Sequence, residues 1–217
     1  MKKAQLFLLP ILMMALIAPF TPMLDMAIEH YFYSDGHFTG QPFFQSLYRY
    51  GLIPSQVTGG IALLAMLHPR WRKAGAMVFL TLIVGCILIV NVTLKDHWGR
   101  PRPKQVEQFG GDQQFRAFYD PNFFHQPAPS RSFPCGHCSA GFFFFSVAFA
   151  GYRLKLRWLE FAGYLIAIVL GVSLSLARMA MGGHFFSDTL MSALVMWLTA
   201  LTFDWYFFEW RVEDARA

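Results

Sequence analysis

Six apolar stretches of this chain contain no Asp, Glu, Lys or Arg, and they dictate its solvent. They run over 4–24, 50–67, 74–94, 138–152, 161–177 and 189–203. A helix of roughly 20 apolar residues crosses about 30 Å of hydrocarbon, and with their flanks these stretches approach that length. The composition agrees: 55% of the 217 residues are hydrophobic and only 14% are charged, too apolar for an ordinary soluble domain. The chain is therefore expected to be all-α, a bundle of six transmembrane helices forming one integral-membrane domain over 1–217, with the lipid bilayer as its partner and no nucleic acid. The fourth and sixth stretches are short, which predicts helices that start earlier, near His137 and His184, with polar first turns.

Short-loop cations set the orientation. Lys2, Lys3, Arg70, Arg72, Lys73, Arg153, Lys155 and Arg157 cluster at ends that the positive-inside rule puts in the cytoplasm. The loop over 96–134 and the turn over 178–184 then lie outside. Both are unusually basic, with Lys95, Arg100, Arg102, Lys104, Arg116, Arg131 and Arg178, and cations on the wrong side call for an anionic ligand. Lys2 and Lys3 ahead of an apolar run imitate a signal peptide, but Pro10, Pro19 and Pro22 interrupt it and no small-x-small site follows, so the run is read as the first helix. Residues 25–49, rich in Tyr and Phe, read as an outer segment anchored in the aromatic belt.

Three stretches carry chemistry. In KDHWGRPRP, 95–103, Pro101 and Pro103 stop the third helix, so Lys95 ends it and Arg102 follows in extended chain. In FPCGHCSAG, 133–141, Pro134 and Gly136 mark a turn and His137 falls in the first turn of the fourth helix, where free N–H groups favour an anion and an imidazole can move a proton. In ARMAMGGHFFSDTL, 177–190, the Gly182-Gly183 break lets Arg178 fold over the start of the sixth helix, and His184 and Asp188 share a face at i, i+4. A carboxylate on one ring nitrogen fixes the tautomer and frees the other as base or nucleophile.

Together these stretches resemble the type 2 phosphatidic acid phosphatase superfamily, whose signature is K-x6-RP, then PSGH, then SR-x5-H-x3-D. Lys95 with Arg102-Pro103, Pro134 with Gly136-His137, and Arg178, His184 and Asp188 meet it in order and spacing across 95–188. Cys135 and Ala177 stand where the family has serine. The resemblance implies an active site at the outer, periplasmic ends of helices 3 to 6 in a bacterial inner-membrane lipid phosphatase. It implies that His184 attacks phosphorus to form a phosphohistidine, that Asp188 orients it, and that His137 protonates the leaving oxygen. Lys95, Arg102, Arg178, Cys135 and Gly136 would bind the phosphate, and the substrate would be a membrane lipid with a phosphate headgroup. The run over 99–111 further resembles the branch that includes lipid A 1-phosphatases.

Asp96, Asp112 and Asp120 are spread through a loop, so no metal site is expected, nor any cofactor. Lipid-to-lipid phosphotransfer would use the same residues. The sequence Cys135-Gly136-His137-Cys138 also fits a membrane thiol oxidoreductase, although only Cys86 remains for an electron relay that generally needs a second pair. On the phosphatase reading, a bridge between Cys135 and Cys138 is expected to deform the turn at Gly136, making the reduced form the active one.

Overall fold

A computed structural model describes residues 3–126 and 130–210. Lys2 lies outside them, as does the C-terminal segment over 211–217. Each expected apolar stretch is helical. The first is α1 (Lys3–Ile17), joined by a tight 3-10 turn to α2 (Thr21–Phe32); a two-strand hairpin, β1 (Tyr33–Ser34) with β2 (His37–Phe38), and α3 (Pro42–Tyr50) lead to α4 (Ile53–Ala65). Helix α5 (Arg72–Leu80) runs on in the wider π form through Thr81–Lys95. After a long irregular loop come α6 (Gly136–Phe142), α7 (Phe145–Leu154), α8 (Arg157–Ala180) and α9 (Phe186–Trp205).

Four of these helical rods are long and apolar enough to cross a membrane: Ala4–Phe32, Arg72–Lys95, Arg157–Ala180 and Phe186–Glu209. The other two, α4 and the α6–α7 pair, are shorter. Leu12 (57% exposed) and Leu16 (74%) on α1 face outward, as suits an apolar solvent in which a buried core is not the only place for leucine. Trp197 on α9 ties α1 down by donating its indole N–H to the Leu6 carbonyl at 3.0 Å.

Small residues let α8 approach α6 and α7 at backbone distance. A Cβ on Gly141 would lie 2.5 Å from the Gly171 Cα, and one on Gly163 would strike the Ala148 backbone. Such contacts gain van der Waals attraction without side-chain entropy, the usual basis of helix association in lipid. They seat the end of α6 on the middle of α8 and the first turn of α7 on the N-terminal part of α8.

The segment over 25–49 differs from its expected role as an interfacial anchor. Helix α2 carries the first rod on to Phe32, and Asp25 and Glu29 on it are fully buried in the bundle. Acidic side chains at i, i+4 on an apolar helix are expensive to bury and mark a polar interior.

Candidate active site

The chain places the motif residues at one end of the bundle, because Lys95 ends one rod, Gly136 and His137 begin the next, Arg178 closes α8 and His184 precedes α9. Arg102 is extended, with φ −79° and ψ 157°, as the flanking prolines dictate. Gly182 supplies the φ of +59° that reverses the chain between α8 and α9. A Cβ on Gly183 would run into the Arg178 guanidinium, so the second glycine is what lets Arg178 lie across the start of α9.

His184 is 1% exposed. Its Nδ1 lies closest to the main-chain carbonyl of Ser132. A carbonyl only accepts, so Nδ1 carries the proton and Nε2 keeps a free lone pair. Asp188 is farther from the ring, with Oδ2 at 3.7 Å from Nδ1. Its Oδ2 accepts from the Ser132 hydroxyl at 2.5 Å and from the Phe185 N–H at 2.9 Å. Ser132 thus bridges the pair, holding the imidazole with its carbonyl and the carboxylate with its hydroxyl. Burial first, and then the nearby charges of Arg178 and Lys95, push the His184 imidazole down to about 3, against the opposing pull of Asp188.

His137 is half-buried and stacks on Tyr48 of α3, ring centroids 4.4 Å apart. The Arg178 guanidinium carbon sits 4.7 Å from the centroid of that same Tyr48 ring. Lys95, Arg102 and Arg178 lie near enough to feel one another's charge, and Lys95 and Arg178 act on both histidines. The buried Nε–H groups of Arg102 and Arg178 have no hydrogen-bond acceptor among the described residues. A buried charged donor without a partner is costly, and here the two belong to guanidinium groups close enough to interact, one of which, Arg178, also acts on His184.

Cys135 and Cys138 form a disulfide. Contrary to expectation, the bridge leaves the turn intact: α6 still begins at Gly136, and Cys135 Sγ caps it by accepting the Cys138 N–H at 3.2 Å. Cys86 is buried and free, 3.7 Å from the Met196 sulfur, so the chain's three cysteines include no second pair. A side chain at Gly136 would collide with Asn91, which accounts for glycine there. The Cys135 N–H points to the Asp188 carbonyl at 3.4 Å, and the Ser192 hydroxyl sits between the Asp188 and Cys135 carbonyls. These bonds lock the start of α6 to the first turn of α9.

Sequence reasoning missed Ser132, Tyr48, Arg100 and Asp25. Arg100, read as an outer-loop cation, is fully buried and paired with Asp188 and Asp25. The one signal that could have found this group is the Asp25, Glu29 pair on an apolar helix. Glu29 is also fully buried, with neither carboxyl oxygen partnered among the described residues. No cluster of three or more His, Cys, Asp or Glu suited to a metal ion occurs among the described residues.

Fold and site together define an all-α membrane-type bundle with two histidines and a supported carboxylate set among convergent cations. The profile of the PAP2 superfamily matches residues 57–211, and the chain belongs to that superfamily. It is similar to the lipid A 4′-phosphatase of Francisella tularensis subsp. novicida (strain U112), 40% identical over 132 residues that make up 60% of this chain and 56% of that protein. It is also similar to the lipid A 4′-phosphatases of Rhizobium leguminosarum, 34% identical over 56% of this chain and 48% of that protein, and of Rhizobium etli (strain ATCC 51251 / DSM 11541 / JCM 21823 / NBRC 15573 / CFN 42), 32% identical over 55% of this chain and 43% of that protein. The chain spans about half the length of the curated relatives it matches. No solved structure matches it.

Proposed function

We propose that the chain is a membrane lipid phosphatase that removes a phosphate group from a lipid A-type glycolipid by way of a phosphohistidine. The observation that carries this reading is the pair of buried, acceptor-less Nε–H groups on Arg102 and Arg178, two neighbouring cations of which Arg178 acts on both His184 and His137. A phosphoryl group supplies the acceptor oxygens they lack. The lipid class follows from the relatives' names, which point to the 4′ enzyme rather than to the 1-phosphatases that the loop over 99–111 resembles. The active site would face the periplasm from the bacterial inner membrane, a reading supported by the distribution of loop cations.

In the first step the Nε2 lone pair of His184 attacks phosphorus, the phosphorus bond to the lipid oxygen breaks, and His137 gives that oxygen its proton. In the second step His137 takes a proton from water, the water oxygen bonds to phosphorus, and the bond from phosphorus to Nε2 breaks to release inorganic phosphate. Charge neutralisation is most of what phosphoryl transfer asks of a protein. Lys95, Arg102 and Arg178 supply it from fixed positions, so the reaction is read as independent of a metal.

The test is phosphate release by the purified protein from lipid A in detergent micelles, with and without chelator, together with acid quenching to trap an acid-labile phosphoprotein. Turnover that survives chelation, and a phosphoprotein lost in His184→Ala, are expected. Turnover by His184→Ala at the wild-type rate, or activity that needs added Mg²⁺, overturns the mechanism.

A further inference from the structure

Helix α2 reaches the carboxylate behind His184 through two side chains that the proposed reaction does not use. Arg100 donates from Nη1 to Asp188 Oδ1 at 2.5 Å and to the Ser187 hydroxyl at 2.8 Å, from Nη2 to Asp25 Oδ2 at 2.8 Å, and from Nε to the Arg116 carbonyl at 2.9 Å. The guanidinium also lies over the Phe185 ring, 4.5 Å from its centroid. Asp25 in turn accepts the Ser187 N–H at 2.8 Å and the Ser187 hydroxyl at 2.7 Å. All three charged side chains are fully buried.

The charge count of this group matters for the reaction. Asp25 and Asp188 bring two carboxylates to one guanidinium. An Asp188 paired with Arg100 alone would be neutralised, and its field at the His184 ring would be weak. Because Asp25 shares the guanidinium, an ionised Asp25 gives the Asp25–Arg100–Asp188 group one negative charge in excess. That charge is useful at one moment. When Nε2 bonds to phosphorus while Nδ1 keeps its proton, the ring becomes cationic, and a buried negative field stabilises it far more than water would.

We propose that Arg100 and Asp25 are positioning residues for phosphoryl transfer, Arg100 by fixing Asp188 and Asp25 by keeping the buried group net negative behind the His184 ring. This rests on the phosphatase reading above.

Asp25→Asn tests it with little change of shape, since the remaining carbonyl oxygen can still accept from Ser187. The measurements are kcat and KM for phosphate release, the single-turnover rate of phosphohistidine formation from a nitrophenyl phosphate, and thermal unfolding of the same preparations. The expected result is a loss of about tenfold or more in the phosphorylation rate, of the size seen when residues behind a reactive group are removed. KM should stay within about twofold and the fold should be retained. On an Asp188→Asn background the same change should cost little, because the two act through one field. Arg100→Lys, which keeps a charge, should recover part of what Arg100→Gln loses. An Asp25→Asn protein with wild-type kcat, one changed only in KM, or a loss undiminished when Asp188 is already asparagine overturns the inference while the phosphatase reading stands. Absence of phosphate release by the wild type itself overturns that reading, and this inference with it.

Discussion

Replacing Gly183 by alanine should impair the site without replacing any residue of the proposed chemistry. The added Cβ would fall onto Arg178 Nη2, 2.6 Å from Cζ and 3.1 Å from Nε, where ordinary contacts begin at 3.4 Å. The guanidinium must therefore withdraw by roughly 1 Å, beyond the tolerance of a hydrogen bond to a bound phosphate. A charge-assisted bond contributes about 1.5–3 kcal/mol, so its loss corresponds to roughly 10- to 150-fold in kcat/KM. Gly183 is not among the glycines with positive φ, and alanine adds no backbone strain there. Steady-state phosphate release from micellar lipid A would measure the activity, and thermal unfolding in the same detergent would check the fold. In an Arg178→Ala background the glycine change should add nothing further. A folded Gly183→Ala protein within about twofold of wild type would refute the placement of Arg178 as a phosphate ligand.

Other expectations follow from the same geometry. His184, held at about 3 against an ordinary value of 6.5, should stay neutral from pH 8 down to about pH 4, so single-turnover phosphorylation should show no acid limb near 6.5 from this residue. Since the unfolded chain binds that proton below 6.5 and the folded one does not, this contribution to stability is complete above 6.5 and is lost as pH falls towards 3. Thermal unfolding at pH 4.5 should therefore be depressed more in wild type than in His184→Gln. Tyr48→Leu removes the ring that stacks on His137 and underlies Arg178, contacts worth about 1–2 kcal/mol, and should lower kcat/KM by roughly 5- to 30-fold, with Tyr48→Phe near wild type; equal losses in both would shift the role to the hydroxyl. The Cys135→Ser, Cys138→Ala protein should keep activity within about threefold, because a serine hydroxyl accepts the helix-start N–H at least as well as sulfur does. Loss of turnover both there and in the dithiothreitol-reduced wild type would make the bridge essential.

The sequence exposed the rods and the motif residues for one reason: both are local patterns. Apolar runs set helices by length, and the prolines and glycines at 101, 103, 134, 182 and 183 set where Lys95, Arg102, His137 and Arg178 leave them. The support behind these residues was hidden because it is not local. Asp25 meets Ser187 across 162 positions and Arg100 across 75. Arg100 and Arg102 lie in the same irregular stretch, and no period there tells which guanidinium turns into the bundle. The aromatic segment over 25–49 was legible as membrane-seeking, but the stacking of Tyr48 on His137 depends on α3 folding back against α8, which composition does not encode.

The proton on His184 is fixed by an atom that no side-chain substitution can remove. A scan of all amino acids at position 132 would report on the hydroxyl that serves Asp188, and would score the position by that alone. The carbonyl that chooses the tautomer belongs to the main chain and is supplied by every residue the genetic code can place there. Drift at 132 can therefore weaken the carboxylate's support while His184 Nε2 keeps its lone pair. Exchanging the peptide link between Ser132 and Phe133 for an ester, a poorer acceptor of the same shape, is the edit that would reach it.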